Sequence, residues 1–175
     1  MNVSRETFRA AMKECKRGET LQVTIETATA DGTGIARVDG QVVFVPGALP
    51  GEVCKIRIAH IGRSAVFAEL LRVEQPSAHR VEPDCPYFPR CGGCALRHMD
   101  YAQELELKRA HVYNCLTRIG GQTLASLPIT GAEQTDGYRN KVQVPVQEQN
   151  GKPVAGFFAG KTHTVIPVAH CRIQP

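Results

Sequence analysis

The sequence predicts a mainly β protein with helices: a small barrel first, then a cysteine-rich loop, one long helix and the start of a second β-rich domain. Three observations carry this reading. Residues 20–76 alternate apolar and polar side chains between Gly-containing turns, the period of half-buried strands. Residues 76–99 concentrate Pro and Cys and cannot build a regular element. Residues 100–119 follow the helical period, and residues 138–175 return to alternation.

At the front, residues 4–16 read as an amphipathic helix. Ser4 is its cap, Phe8, Met12 and Cys15 recur on one face, and Gly18 ends it. In the barrel segment, Leu21–Ile25 alternates, Asp31-Gly-Thr-Gly makes a turn, and Asp39-Gly40 joins Ile35–Val38 to Gln41–Val45. Asp-Gly fits the positive-φ turn that antiparallel hairpins favour. Val53–Ile58 and Ser64–Val73 complete five strands. Closure into a small oligonucleotide-binding-type barrel removes the sheet edges that so few strands would expose. Its polar face carries Arg37, Lys55, Arg57 and Arg63, candidates for RNA contact on a surface that any soluble strand would also make polar.

The long helix opens at Asp100 with Gln103 at capping-box spacing, and Gly120-Gly121 stops it. Leu105, Val112, Leu116 and Ile119 form one apolar stripe. In the last segment Asn150-Gly151 joins a strand over Lys141–Gln147 to one beginning at Pro153, and Thr162–Val168 follows. Arg139, Asn140 and Lys141 start this region as further RNA-contact candidates, the plainer reading being that they pair locally to fix the turn. A sheet this small is not independently stable, so a larger domain is expected. The domains read as residues 1–17 (helix), 18–76 (barrel) and 77–175 (cysteine segment, helix and partial β domain).

Composition narrows the chemistry. The chain has 175 residues, a net charge of +4 and seven cysteines. No apolar run is long enough to span a bilayer, and the start lacks a secretory pattern. No membrane association is expected, and a cytoplasmic location is. Cytosolic thiols stay reduced, so clustered cysteines point to metal or catalysis rather than disulfides. The mild basic excess permits a nucleic-acid partner. Aromatics make up 6% of residues and Trp is absent, so base stacking would rest on a few Phe, Tyr or Arg side chains. Dinucleotide, Walker and Ser/His/Asp motifs are lacking.

Cys85-x5-Cys91-x2-Cys94 is a tight three-ligand loop, and Cys171, after the last strand, is the fourth candidate. The spacing is one residue longer than the plant-type ferredoxin pattern, in which the fourth ligand also lies far away. Structural zinc sites usually pair two Cys-x2-Cys turns, and this chain has one. An iron–sulfur cluster is therefore preferred, with a Cys3His zinc site through His98 still open. Cys15, Cys54 and Cys115 read as small core-filling residues. His163 and His170 read as solvated or hydrogen-bonded.

Gly34-Ile-Ala-Arg-Val-Asp-Gly-Gln-Val-Val-Phe-Val-Pro-Gly-Ala-Leu-Pro-Gly-Glu52 resembles the core of a TRAM domain. Cys85-Pro-Tyr-Phe-Pro-Arg-Cys-Gly-Gly-Cys-Ala-Leu-Arg-His98, with Tyr101 and Lys108, resembles the iron–sulfur segment of class I RNA uracil-C5 methyltransferases. Gly137–Lys141, Gly156-Phe-Phe, His163 and Cys171 continue the pattern. Where the family commonly has Gln, this chain has Arg97, which adds a positive charge and removes no ligand. The resemblance implies a [4Fe-4S] cluster on Cys85, Cys91, Cys94 and Cys171, serving structure and RNA placement. It implies RNA as partner, 23S ribosomal RNA first and transfer RNA as the alternative, and a monomer. It also implies a C-terminal domain that binds S-adenosylmethionine and carries the chemistry. That domain's motifs are absent, so the chain is expected to be an inactive N-terminal portion with no catalytic residue. A stand-alone RNA-binding module with a structural metal, and a small electron carrier, are the competing readings.

Overall fold

The computed structural model describes residues 15–175. The expected N-terminal helix over residues 4–16 lies almost wholly outside the described residues, and Cys15 and Lys16 within it are irregular. The chain divides into two compact units, one ending at Arg80 and one spanning Val81–Pro175.

The first unit is a curled sheet. Its strands are β1 (Thr20–Thr24), β2 (Thr27–Ala28), β3 (Gly34–Val38), β4 (Gln41–Val45), β5 (Val53–Ile61) and β6 (Val66–Gln75). Their spatial order is β1-β5-β6-β4-β3-β2. All neighbours are antiparallel except β4 and β6, which run parallel because the chain passes through β5, on the far side of β6, before β6 returns beside β4. β1 and β2 are consecutive pieces of one bent strand. Between them the Ile25 amide donates to the Glu52 carbonyl (2.9 Å) and the Glu26 amide to the Ile35 carbonyl (2.8 Å). That strand therefore leaves one edge of the sheet and joins the other, which curls the sheet back on itself.

Alternation builds the core. On β5, Cys54, Ile56 and Ile58 are buried while Lys55 and Arg57 point to solvent. Ala36, Val43, Val45 and Val66 join them from β3, β4 and β6. At the β3–β4 hairpin Asp39 and Gly40 have φ of 46° and 80°, the two-residue turn that matches strand twist. Leu49 and Glu52 of the loop leading into β5 are fully buried. Glu52 accepts from the Leu49 amide (2.8 Å), and Arg80 donates to it through Nε (2.5 Å) and Nη2 (2.8 Å).

The second unit contains α1 (Tyr101–Asn114), continued by a π-helical turn (Cys115–Ile119), and a sheet of β7 (Val146–Gln149), β8 (Lys152–Phe158) and β9 (Val165–Pro167) in the order β7-β8-β9. Asp100 caps α1, its carboxylate accepting from the Gln103 amide at 2.8 Å. β8 and β9 pack so closely that a Cβ on Gly156 would stand 1.8 Å from the Ile166 carbonyl oxygen. Two expectations are corrected here, the start of this unit's first strand and the place of Cys115. The strand expected from Lys141 begins only at Val146, because no partner strand faces Val142 and Val144, which are exposed, and Pro145 has no amide to donate to a ladder. The helical stripe is left partly uncovered among the described residues, as a helix whose partner is a further domain would be: Val112, Leu116 and Ile119 are exposed, Leu105 is half-buried, and Leu107 is the buried residue of α1. For the same reason Cys115 is half-buried rather than core-filling, with its Sγ 3.8 Å from His111 Nε2.

Candidate metal centre

Residues 81–99 form successive turns instead of a regular element, and backbone hydrogen bonds fix the turns at Cys85 and Cys91. The Phe88 amide donates to the Cys85 carbonyl (3.1 Å) and the Cys91 amide to the Tyr87 carbonyl (2.8 Å). Gly92 rests on the end of β8, its amide donating to the Phe158 carbonyl at 2.9 Å. A Cβ there would meet that oxygen and the Gly160 Cα at 3.0 Å, so only glycine fits without displacement. The Gly93 amide then points at the Cys91 sulfur, 3.4 Å away.

Cys171 is brought to this loop from far along the chain. The Tyr87 hydroxyl accepts from the Ala169 amide at 3.0 Å. Arg97 binds both Asp84 (2.8 Å) and Asp136 (2.8 Å), and Arg172 binds the same two carboxylates (2.9 and 2.6 Å). This ring of two arginines and two aspartates anchors the residues next to Cys85, Cys94 and Cys171. It also absorbs the charge of Arg97, whose side chain is only 17% exposed. The backbone adds two ties, from the Gly137 amide to the Arg172 carbonyl and from the Arg139 amide to the Ile173 carbonyl.

Cys85, Cys91, Cys94 and Cys171 line one cavity, together with Phe88, Phe157, Arg139 and His170 among others. Burial pushes the Cys94 thiol up, Arg97 pulls it down, and Cys171, Cys91 and Cys85 add to the rise. Among the described residues no three His, Cys, Asp or Glu side chains converge to hold a single ion. His98 is not part of the cavity lining: it is buried and stacked on Phe88, with ring centroids 5.3 Å apart. His163 is exposed and meets Phe158 edge-on, and His170 is exposed at the cavity.

The RNA-contact candidates fall in separate places. In the first unit Arg37, Lys55, Arg57 and Arg63 are all exposed. Arg37 stands 3.4 Å from Glu26 and Arg57 2.6 Å from Glu69. In the second unit Asn140 and Lys141 are exposed, while Arg139 is half-buried at the cysteine cavity. Two features escaped the sequence reading. The Arg97–Asp84–Arg172–Asp136 ring joins residues too far apart in the chain to be paired by spacing. The Glu52–Arg80 pair was signalled only by a lone acid beside an apolar loop.

Residues 14–71 match the TRAM domain family. The chain is 41% identical over 159 residues to an uncharacterized RNA methyltransferase of Halalkalibacterium halodurans, covering 90% of this chain and 35% of that protein. It is 39% identical over 159 residues to one of Listeria monocytogenes, covering 91% of this chain and 35% of that protein. A crystal structure of the Pyrococcus abyssi tRNA (uracil-54, C5)-methyltransferase with S-adenosyl-L-homocysteine shares the fold over 87% of this chain and 32% of its own, at a TM-score of 0.55 and 22% identity. The TRAM match falls on the first unit, which is mostly β. The chain is similar to part of proteins named RNA methyltransferases and spans about a third of the length of these curated relatives.

Proposed function

We propose that this chain is the RNA-recognition and iron–sulfur portion of an S-adenosylmethionine-dependent RNA uracil-C5 methyltransferase. The observation that carries it is the gathering of Cys85, Cys91, Cys94 and Cys171 around one cavity from positions up to 86 residues apart (171 − 85). The donor set suits the group: four thiolates and no oxygen ligand is the set of a [4Fe-4S] cluster. Four thiolates also suit zinc, and it is the single Cys-x2-Cys turn with a distant fourth cysteine that favours the cluster. When bound, the cluster supplies structure to the loop. The Gly93 amide stands ready to donate to a ligand sulfur, and Phe88 and Phe157 keep water off it. A cytosolic setting keeps the thiols reduced for loading.

The second support is energetic. The buried apolar residues of the Val81–Pro175 unit are Met99, Leu107, Val165 and Ile173, a small core for its length. Domains of this kind are usually stapled by a metal or disulfides, and binding then becomes folding energy.

The TRAM barrel would hold RNA through phosphate contacts and shape, with Arg37, Lys55, Arg57 and Arg63 as the contacting cations. Arg139, Asn140 and Lys141 add contacts beside the cluster. By resemblance the methyl donor and the chemistry belong to a further domain, so no catalytic residue is assigned here. 23S ribosomal RNA is the substrate proposed first. Competition between a ribosomal RNA hairpin and a transfer RNA for the same protein separates it from the transfer RNA reading.

Anaerobic purification with visible absorption and counting of iron, sulfide and zinc tests the centre. The expected protein is brown, holds about four iron and four sulfide per chain, and loses both in Cys91→Ala and Cys171→Ala. A colourless protein with one zinc, retained in air, would overturn the cluster and leave a zinc-stapled RNA-binding module.

A further inference from the structure

We propose that Phe67, stacked on Phe44 and flanked by His60, is a platform on which the first unit stacks an unpaired base of single-stranded RNA; this rests on the RNA-binding reading above. The two phenyl rings come from neighbouring parallel strands and face each other in register. Their centroids are 5.4 Å apart with 23° between planes. His60 pairs with Phe67 across β5 and β6 and lies 6.0 Å from it. The trio is not core. On β6 Val66 and Ala68 point inward and are buried, whereas Phe67 is 45% exposed; on β4 Val43 and Val45 are buried on either side of Phe44.

An apolar ring left half in water needs a reason in a chain so poor in aromatics. Two stacked rings offer a face about the size of a base, far short of the ~800 Å² per partner of a stable protein interface. Their surroundings suit a polyanion. Arg63 sits in the turn closed by the Gly62 amide and Ala65 carbonyl, and a Cβ on Gly62 would lie 3.8 Å from the Phe67 ring. Ile35 faces Phe44 in register and Arg37 follows two residues along the same face of β3. Glu69 follows Phe67 on the same face of β6 and pairs with Arg57 of β5. Lys55 and Arg63 have no ion-pair partner among the described residues. The carboxylates near Arg37 and Arg57 form exposed pairs, which are weak enough to yield to phosphate. A base on the rings would leave its flanking phosphates among these cations, the combination by which single strands are held.

The absence of Trp makes the test direct. In the full chain Phe67→Trp introduces a single indole, and a short unstructured RNA is titrated against it and against a duplex of equal length. Stacking should quench the indole emission with the single strand and little with the duplex. Phe67→Ala should weaken single-strand binding about tenfold with an unchanged slope against salt, since no phosphate contact is lost. Phe67→Leu, which keeps bulk without a π face, should behave like Phe67→Ala, while Phe67→Tyr should bind normally. Unquenched indole and native affinity in Phe67→Ala, alongside weakened binding in Lys55→Ala and Arg63→Ala, would overturn the platform and leave RNA binding intact. Failure of the unaltered chain to bind either RNA would overturn the RNA-binding reading and the platform with it.

Discussion

Glu52 shows how one side chain can decide the shape of a loop. It has no exposure, yet accepts from the Leu49 and Ser77 amides and from Arg80, which also reaches the Gly47 carbonyl at 2.7 Å. Burial pushes its carboxyl up, but Arg80 and the two amides outweigh burial and leave it below its ordinary value of 4.5. A depressed carboxylate stabilises the fold above its unfolded pKa, and that contribution disappears as pH falls through the folded value. The first unit should therefore hold a constant urea midpoint from neutrality to about pH 4.5 and lose stability below it. Arg80→Ala leaves a buried charge without its cation and should cost about 3–5 kcal/mol at pH 7. Glu52→Gln should remove the acid slope. An acid slope that survives in Glu52→Gln would assign it to another group. Beside this pair Cys54 is pushed up to about 11, by burial first and by the Glu52 charge second, so it behaves as a core atom and not as a nucleophile.

At the scale of elements, the legible features are those that local chemistry decides. Asp39-Gly40 and Asn150-Gly151 read as hairpin turns, and all four residues have positive φ. The inward alternation of β5 needs nothing beyond its own sequence. Asp100 reads as a cap from its spacing to Gln103, and its bond to the Gln103 amide is that cap realised. Asp100→Ala should destabilise α1 by about 1 kcal/mol and speed hydrogen exchange at the Gln103 amide. Asp100→Asn should keep most of the protection, and equal exchange in all three proteins would show that the cap contributes nothing. The illegible features depend on what lies across from an element. A helical period in Leu105, Val112, Leu116 and Ile119 says which residues share a side, not whether anything covers it. Lys141–Val144 alternates like a strand, but no strand pairing among the described residues includes it. The candidate centre divides the same way: three cysteines announce themselves by spacing, whereas the carboxylate ring and the Phe44–Phe67 pair exist only once distant segments are in register.

For the molecule as a whole, apolar burial is unequally shared. Val23, Ile25, Ala36, Val43, Val45, Ile56, Ile58 and Val66 form one continuous cluster, all of it in the first unit. The Val81–Pro175 unit has a three-stranded sheet, one helix with a single buried residue, Leu107, and a long run of turns. At about 25 cal/mol per Å² of apolar surface, four buried side chains do not offset the conformational entropy of so many turns. The cysteine cavity joins the 85–94 loop to the 171 turn. If a cluster supplies the difference, its oxidative loss followed by chelation should release protection of the α1 and β8 amides while the β5 and β6 amides keep theirs. Hydrogen exchange before and after cluster removal reads both units in one sample. Retained protection in α1 and β8 without the cluster would mean that the carboxylate ring and the sheet suffice, and would reduce the metal to an ornament of a fold that stands without it. Release in α1 and β8 alone would make the cluster the part of this chain that its short core lacks.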